Sequence, residues 1–253
     1  MQPVLFSIGP VSVYAWGTML SLAVIVGVVG ARRLAIRAGI DPDRILDLAI
    51  WLILAGLIGA RLFYVFFYDW QFFSAYPLEI IKLNQPGLVY YGGLLGGIAA
   101  GGGYVYRYRL PFWNLADVVA PFLALGYGIV RIGCFLNGCC FGKPTDLPWG
   151  VVFPGLLEIS RHPTQLYSAG LALLLFGMLI WLFCRRKFPG QVFLVYLMVY
   201  AVMRAVVEVF RENLLVLGPI TIAQLVSLGL FLVAAVTYVY LRNRARRTGS
   251  LFR

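Results

Sequence analysis

The sequence predicts an all-α integral membrane protein with about seven transmembrane helices. Of its 253 residues, 61% are hydrophobic and only 12% are charged, and the mean hydropathy is +0.86. Soluble domains carry about 25% charged residues. Apolar runs of 18 to 22 residues are long enough to cross a hydrocarbon core of about 30 Å. There are seven of them, at residues 13–30, 46–67, 89–106, 114–135, 165–182, 192–209 and 220–241.

The distribution of basic residues predicts how these helices are oriented. Fourteen of the 21 Lys and Arg residues follow the first, third, fifth and seventh runs. Because Lys and Arg concentrate in cytoplasmic loops, we expect an outside N-terminus and a cytoplasmic basic tail at residues 242–253. The chain then forms one membrane domain, residues 1–253, with outward loops or arms at residues 68–88 and 137–162. Attraction to anionic membrane lipids accounts for the net charge of +11, so we expect no nucleic-acid partner.

Each of the first three runs has one feature that bears on its role. Every residue before the first run is neutral and no small-x-small cleavage site is suitably placed, so we expect a retained anchor. The second run contains Arg61. The third opens with YYGGLLGG at residues 90–97, and such dense glycines let a helix or a lipid approach the backbone. Tyr91, Gly92 and Gly93 then lie at the outer interface, where a phenol can hydrogen-bond a lipid headgroup.

Seven basic residues remain within the outer halves of the runs or in the outward loops. They are Arg61, Lys82, Arg131, Lys143, Arg161, Arg204 and Arg211. An arginine inside a span costs about 2.5–3.5 kcal/mol on insertion scales, so each needs compensation. Internal ion pairs are one explanation, as between Arg204 and Glu208, one helical turn apart. A phosphate-bearing ligand is the other, because the guanidinium fork matches phosphate bidentately, and we favour it.

The fourth run ends in RIGCFLNGCCFGKPT, residues 131–145, which places three cysteines at its outward end. A disulfide from Cys134 to Cys139 or Cys140 is possible if the compartment is oxidising. The spacing C-x4-C-C matches no zinc pattern, although His162 is available as a fourth ligand. We therefore expect small apolar filler here, and no metal.

The fifth run opens with RHPTQLY, residues 161–167. Pro163 suits a first helical turn, because a proline there loses no hydrogen bond. The segment carries His162, Gln165 and Tyr167 into the membrane mouth. His162 is the only histidine in the chain, and it is either a structural hydrogen bonder or a base suited to neutral pH.

Four blocks in order resemble the bacterial phosphatidylglycerol:prolipoprotein diacylglyceryl transferase family over nearly the whole chain. They are IGPVSVYAWGTM, YYGGLLGG, RIGCFLNGCCFGKPT with RHPTQLY after it, and YAVMRAVVEVFRE in the sixth run. The resemblance implies a multi-pass enzyme of the bacterial inner membrane, active near the outer leaflet and without a cofactor. Such an enzyme transfers the diacylglyceryl group of phosphatidylglycerol to the lipobox cysteine of a prolipoprotein signal peptide, forming a thioether and releasing glycerol 1-phosphate.

The resemblance also implies roles for individual residues. It assigns the lipid phosphate to Arg131 and an essential role to Arg204, with Tyr91 and His162 as further catalytic candidates. The substrate-binding candidates are Arg61, Gly92, Gly93, Arg131, Asn137, Gly142, Gln165, Tyr167, Glu208 and Arg211.

The chain departs from the family pattern at three positions. The common pattern has asparagine at Cys134 and glutamate at Cys139, and many members have histidine at Tyr91. A free phenol, with a pKa of about 10, is a poor base for a thiol. Three explanations of how the substrate thiol loses its proton therefore stay open. Tyr91 is the base despite this pKa, or His162 is the base, or no side chain is needed because the thiol ionises beside the cationic pocket.

A lipid or anion transporter, or a binding protein without chemistry, is the alternative function. It predicts inverted repeats or paired broken helices, and the sequence contains no such repeat. The motifs of soluble enzymes, namely the P-loop, GxSxG, HExxH and the dinucleotide-binding glycines in their proper context, are also absent.

Overall fold

The computed structural model describes residues 3–9, 11–81, 87–153, 159–212, 215–217 and 220–249, and within them the chain is mostly helical. Eight α-helices lie in this part of the chain: α1 Ala15–Arg37, α2 Pro42–Phe67, α3 Trp70–Ala75, α4 Tyr90–Arg107, α5 Phe112–Leu136, α6 Thr164–Phe183, α7 Gln191–Val209 and α8 Ile222–Arg247. Six of them, α1, α2, α5, α6, α7 and α8, are long and apolar enough to cross a membrane. The prediction of an all-α integral membrane protein is confirmed.

The third predicted span is helical, but it is not among those six. Helix α4 is 18 residues long, and its seven glycines and four tyrosines lower its hydropathy. The count of seven spans and their orientation therefore stay predictions. Lys82, Glu158, and parts of both outward loops and of the basic tail, at residues 82–86, 154–158 and 250–253, lie outside the described residues.

Three short antiparallel hairpins accompany the helices in the described residues. They are β1 Val4–Ile8 with β2 Val11–Tyr14, β3 Val151–Val152 with β4 Ser160–Arg161, and β5 Leu215–Leu217 with β6 Ile220–Thr221. The predicted first and last spans therefore begin too early, because their opening residues are strand. Thr221 ends the last hairpin and starts α8 through a capping box with Gln224.

The chain divides into two compact units, residues 1–31 with 113–253 and residues 32–112. In the second unit, α2 packs along α4 through glycines. A Cβ on Gly92 would overlap the carbonyl of Gly59, and a Cβ on Gly96 would overlap that of Ala55. Close backbone packing of this kind holds helices together in lipid, where the hydrophobic effect between them is weak. It explains the glycines at positions 92, 93 and 96, whereas a Cβ on Gly97, Gly102 or Gly103 would meet nothing within 4 Å.

In the first unit, α6 packs on α7 and α7 on α8. A buried carboxylate fixes the start of α7. Asp117, on α5, accepts hydrogen bonds from the backbone N–H groups of Gly190 and Phe193, both at 2.9 Å, and lies 3.8 Å from Arg186. Gly190 has a φ of 90°, a left-handed conformation that favours glycine.

We expect Asp117→Ala to lower the thermal midpoint of the purified protein by several degrees. The change leaves two N–H groups of the α7 start without their acceptor, at a cost of about 1–3 kcal/mol for each buried group. Asp43→Ala is the matched control, because Asp43 forms a surface ion pair with Arg32 and such pairs contribute about 0–1 kcal/mol. Equal midpoints for the two variants would contradict the assigned role of Asp117.

Candidate active site

The end of α5 shapes the predicted phosphate site. The N–H of Cys139 donates to the carbonyl of Cys134 at 3.1 Å, and the N–H of Gly138 donates to that of Phe135 at 3.1 Å. Gly138 has a φ of 72°. These two bonds and the left-handed glycine make a Schellman motif, which stops the helix and turns the chain back over its last turn. The turn predicted from the Gly, Asn and Pro residues is therefore present.

Residues 137–145, called the strap below, connect this turn to the ends of two other helices. Gly142 N–H donates to His162 O at 2.9 Å, and His162 N–H donates to Lys143 O at 3.0 Å. Lys143 N–H donates to Phe210 O at 2.8 Å. Backbone hydrogen bonds thus connect the strap to the segment just before α6 and to the C-terminal end of α7.

Gly142→Ala should destabilise the strap. An added Cβ would overlap the Phe210 carbonyl and lie 2.7 Å from Thr164 Cγ2 and 2.9 Å from His162 Cβ. Overpacking of this kind costs about 1–3 kcal/mol, so we expect a lower thermal midpoint and reduced activity. In Gly170→Ala, whose Cβ meets nothing within 4 Å, we expect neutral or slightly raised stability, since alanine favours helix by about 1 kcal/mol. A wild-type midpoint in Gly142→Ala would rule out this packing constraint.

Two buried side chains at the start of α6 hold the cysteine pair. Thr164 Oγ1 donates to the Cys140 carbonyl at 2.9 Å, and Gln165 Nε2 donates to the Cys139 carbonyl at 2.6 Å. Gln165 is fully buried, and among the described residues its Oε1 has no hydrogen-bond partner. Gln165, predicted to bind substrate, therefore also positions the strap.

Arg131 lies half-buried on the last turns of α5, with its guanidinium carbon 4.8 Å from the centre of the Tyr127 ring. In the described part of the chain, no carboxylate forms an ion pair with Arg131 or Arg211. The Cys134 thiol and the charges of Arg131 and Arg211 lower the pKa of the Cys140 thiol, outweighing the effect of its burial. The positive charge here is thus not neutralised by any described carboxylate.

Three other cations that are predicted to lie outward have partners within the protein. Arg161 pairs with Glu212 at 3.0 Å, and Lys143 Nζ donates to the Val209 carbonyl at 3.0 Å. Arg61 is 3% exposed and donates to the backbone carbonyls of Glu79, Ile80 and Gly87 at 2.9, 3.0 and 3.3 Å. These contacts give each of the three cations a structural partner, although the buried Nε of Arg161 has no hydrogen-bond partner among the described residues. The role of Arg61 in binding substrate stays a prediction.

Arg204 forms the predicted ion pair with Glu208. Glu208 is 3% exposed and also accepts a hydrogen bond from Thr221 Oγ1 at 3.2 Å. The half-buried Arg204 lines a narrow cleft that is too tight to hold a water molecule. The other lining residues are Tyr127, Ser168, Tyr200, Met203 and Val207.

Tyr127 is a site residue that sequence reasoning missed. Its ring contacts Arg131 and packs edge-on against Tyr200 at 5.5 Å, and the same side chain lines the Arg204 cleft. The two arginines with predicted roles therefore share one aromatic neighbour. The sequence does contain a signal that could have identified Tyr127, because it lies one helical turn before Arg131.

The two aromatic candidates of the RHPTQLY segment contact each other. Trp149 Nε1 donates to the Tyr167 hydroxyl at 2.8 Å, and this hydroxyl lies 3.1 Å from His162 Nδ1. The imidazole also packs against Phe210, with ring centres 5.1 Å apart. These contacts favour the structural role of His162, and its role as a base stays a prediction.

Four further candidates are Tyr91, Gly92, Gly93 and Asn137. Tyr91, 65% exposed, belongs with Gly92 and Gly93 to the second unit, at the start of α4. Asn137 is exposed at the end of α5. Their roles in catalysis and substrate binding stay predictions.

Comparison with known proteins identifies the family. The family described as prolipoprotein diacylglyceryl transferase matches residues 3–240. A relative named phosphatidylglycerol-prolipoprotein diacylglyceryl transferase, from Nostoc sp., is 39% identical over 257 residues, covering 96% of this chain and 90% of the relative. Relatives of the same name from Synechococcus elongatus and Geobacter sulfurreducens are 41% and 34% identical, covering 89% and 96% of this chain and 82% and 96% of their own lengths. The chain belongs to the prolipoprotein diacylglyceryl transferase family.

Proposed function

We propose that this enzyme transfers the diacylglyceryl group of phosphatidylglycerol to the lipobox cysteine of a prolipoprotein signal peptide. The products are a thioether-linked lipoprotein precursor and glycerol 1-phosphate. The observation that carries the proposal is Arg131, a half-buried cation with no ion-pair partner among the described carboxylates, in a chain whose relatives act on a phospholipid by name.

In the reaction, the substrate thiolate attacks the glycerol carbon that bears the phosphate ester. The C–S bond forms as the C–O bond breaks, and the electron pair of the C–O bond stays on the phosphate oxygen. Negative charge therefore grows on the leaving group in the transition state. A preorganised cation at that point stabilises the transition state more than the ground state, and we assign this role to Arg131.

Arg204 and Glu208 act as a unit in this proposal. The buried carboxylate holds the Arg204 guanidinium at the cleft, so that its remaining donor capacity is presented in one orientation. Arg211, near the Cys140 thiol, adds positive charge to the same region. Arg131, Arg204 and Arg211 supply the field that an anionic headgroup requires.

We infer that the enzyme is a multi-pass protein of the bacterial inner membrane with its site near the outer leaflet. The predicted orientation places Arg131 and the strap outward, and a diacyl lipid already lies at that depth. The partners are phosphatidylglycerol, the lipobox-bearing signal peptide and the surrounding membrane lipids.

Label transfer tests the proposal directly. The purified protein in lipid nanodiscs receives phosphatidylglycerol labelled in its diacylglyceryl glycerol, together with a lipobox peptide. We expect the peptide to gain the diacylglyceryl mass and the label, and glycerol 1-phosphate to be released in equal amount. A peptide with Ser in place of its Cys is the control and should remain unmodified. Binding of the lipid without transfer would support the transporter or binding-protein alternative instead.

The same assay separates the candidate bases. We expect His162→Gln to retain the pH dependence of kcat, because the contacts of His162 with Tyr167 and Phe210 are structural. Loss of the limb of the pH profile near neutrality would instead identify His162 as the base. Tyr91→Phe, measured beside it, removes only a hydroxyl and tests whether the phenol takes part.

A further inference from the structure

The three outward cysteines converge on one point. The sulfur atoms of Cys134, Cys139 and Cys140 all lie within 4.8 Å of one another, and in the part of the chain that the structure describes no further His, Cys, Asp or Glu joins the group. The Schellman motif turns the chain back over the last turn of α5 and so places Cys139 next to Cys134. The cluster thus follows from how α5 ends.

Cys140 joins the cluster at a conformational cost. Its φ is 67°, in the left-handed region, which costs a residue with a side chain about 1–2 kcal/mol. The hydrogen bonds from Thr164 to the Cys140 carbonyl and from Gln165 to the Cys139 carbonyl hold this conformation. Apolar filler requires neither the unfavourable backbone nor the buried polar supports, so the arrangement of the thiols calls for another explanation.

We propose that Cys134, Cys139 and Cys140 bind one Zn²⁺ ion, and that the thiolate of the substrate cysteine occupies its fourth coordination position. Three protein ligands with one open position are the arrangement of catalytic zinc sites. With Zn–S bonds of about 2.3 Å, tetrahedral geometry places sulfurs about 3.8 Å apart. The present separations therefore need to shorten by at most about 1 Å. This inference revises the sequence-based expectation of filler without metal.

The surrounding charge suits such a site. Zn²⁺ with three thiolates has a net charge of −1, and a fourth thiolate makes it −2. The charges of Arg131 and Arg211 act at the Cys140 sulfur. Two cations beside the cluster compensate this excess, and one of them is the residue assigned to the lipid phosphate. The acceptor thiol and the leaving phosphate are then brought to neighbouring positions.

The zinc ion would resolve the question of the base, and this part rests on the proposed function. A free cysteine, with a pKa of about 8.5, is mostly protonated at neutral pH, whereas a thiol that coordinates zinc is deprotonated. The thiol proton passes to water when the peptide binds. The zinc-bound thiolate then forms the C–S bond, the C–O bond breaks, and its electron pair leaves with the phosphate. No oxidant or reductant is needed, and the neutral thioether is a weaker ligand that dissociates.

Metal binding is tested first, without reference to turnover. The purified reduced protein is stripped with a chelator and titrated with Co²⁺, whose thiolate complexes absorb by charge transfer, and zinc is measured in the untreated protein. We expect one ion per chain. We expect Cys139→Ser and Cys140→Ser to bind at least about tenfold more weakly, and Cys184→Ser, at an exposed cysteine, to bind as the parent does. Absence of stoichiometric binding by the reduced protein, or a Cys134 disulfide in the intact mass of the protein purified without reductant, would overturn the proposal.

Substrate coordination is tested on the Co²⁺ form. Addition of the lipobox peptide should intensify and shift the thiolate charge-transfer band, and the peptide with Ser in place of its Cys should leave the band unchanged. An identical response to both peptides would refute the open coordination position. A metal-free enzyme that transfers lipid at the parental rate would overturn the zinc proposal while the transferase function stands. A protein that binds zinc and peptide thiolate but transfers nothing would overturn the function alone.

Discussion

Arg131→Ala should reduce kcat/KM for diacylglyceryl transfer by about 10²–10³-fold, the usual effect of removing one preorganised group that stabilises transition-state charge. The reason is that Arg131 is half-buried against Tyr127 and has no described carboxylate partner, so its charge is available to the leaving phosphate. Because no described carboxylate pairs with Arg131, its removal leaves no described carboxylate without a counter-charge. We therefore expect a near-parental thermal midpoint beside the lost activity.

Two further variants sharpen this result. Arg131→Lys keeps the charge but loses the bidentate fork, and we expect activity between that of the parent and that of Arg131→Ala. Arg242→Ala changes an exposed arginine near the end of α8 and should leave transfer unchanged. If Arg131→Ala transferred lipid at more than about a tenth of the parental rate, far above the expected loss, the phosphate role would be untenable.

Glu208→Gln should be the most destabilising single change in the site. It removes the carboxylate partner of Arg204, and breaking a buried ion pair from one side costs about 3–5 kcal/mol. The bond from Thr221 Oγ1 to the carboxylate is also altered. We expect a large fall in the thermal unfolding midpoint of the purified protein. Glu212→Gln is the matched control, because it breaks the more exposed pair with Arg161 and should cost at most about 1 kcal/mol.

A double variant distinguishes stability from function at this pair. Arg204→Met with Glu208→Met removes both charges, and replacing a buried pair by apolar residues of similar volume is often neutral for stability. We expect the double variant to regain most of the midpoint lost in Glu208→Gln and yet to transfer no lipid. Recovery of transfer along with stability would show that the pair is structural only.

The helices were predictable because their apolar runs are long, and the hairpins were not. The strand residues directly before the first and last helices are aromatic or β-branched: Val13 and Tyr14, and Ile220 and Thr221. Such residues fit a strand as well as the start of an apolar helix. At the start of α8, a capping signal in the sequence marks the helix boundary that the hydropathy of the run does not. Thr221 with Gln224 makes a capping box, and this pattern is visible in the sequence.

The site was predictable where its contacts are local. The pair of Arg204 and Glu208 follows from one helical turn, and the turn after Arg131 follows from its glycine. The convergence of Cys134, Cys139 and Cys140 depends on a Schellman motif and on supports from Thr164 and Gln165, more than twenty residues further along the chain. The carbonyls that hold Arg61 are likewise 18 to 26 residues away in sequence. Tertiary contacts of this kind leave no periodic signal.

The attachment of the strap to α7 sets an order of assembly. Lys143 donates to the carbonyls of Val209 and Phe210, and Val209 is 66 residues later in the chain. Synthesis at about 5–20 residues per second adds that length in roughly 3–13 s. During this interval α5 and the cysteine cluster are already synthesised while the strap lacks its final anchor. The site is therefore completed late during biogenesis, after the sixth of the predicted spans has entered the membrane.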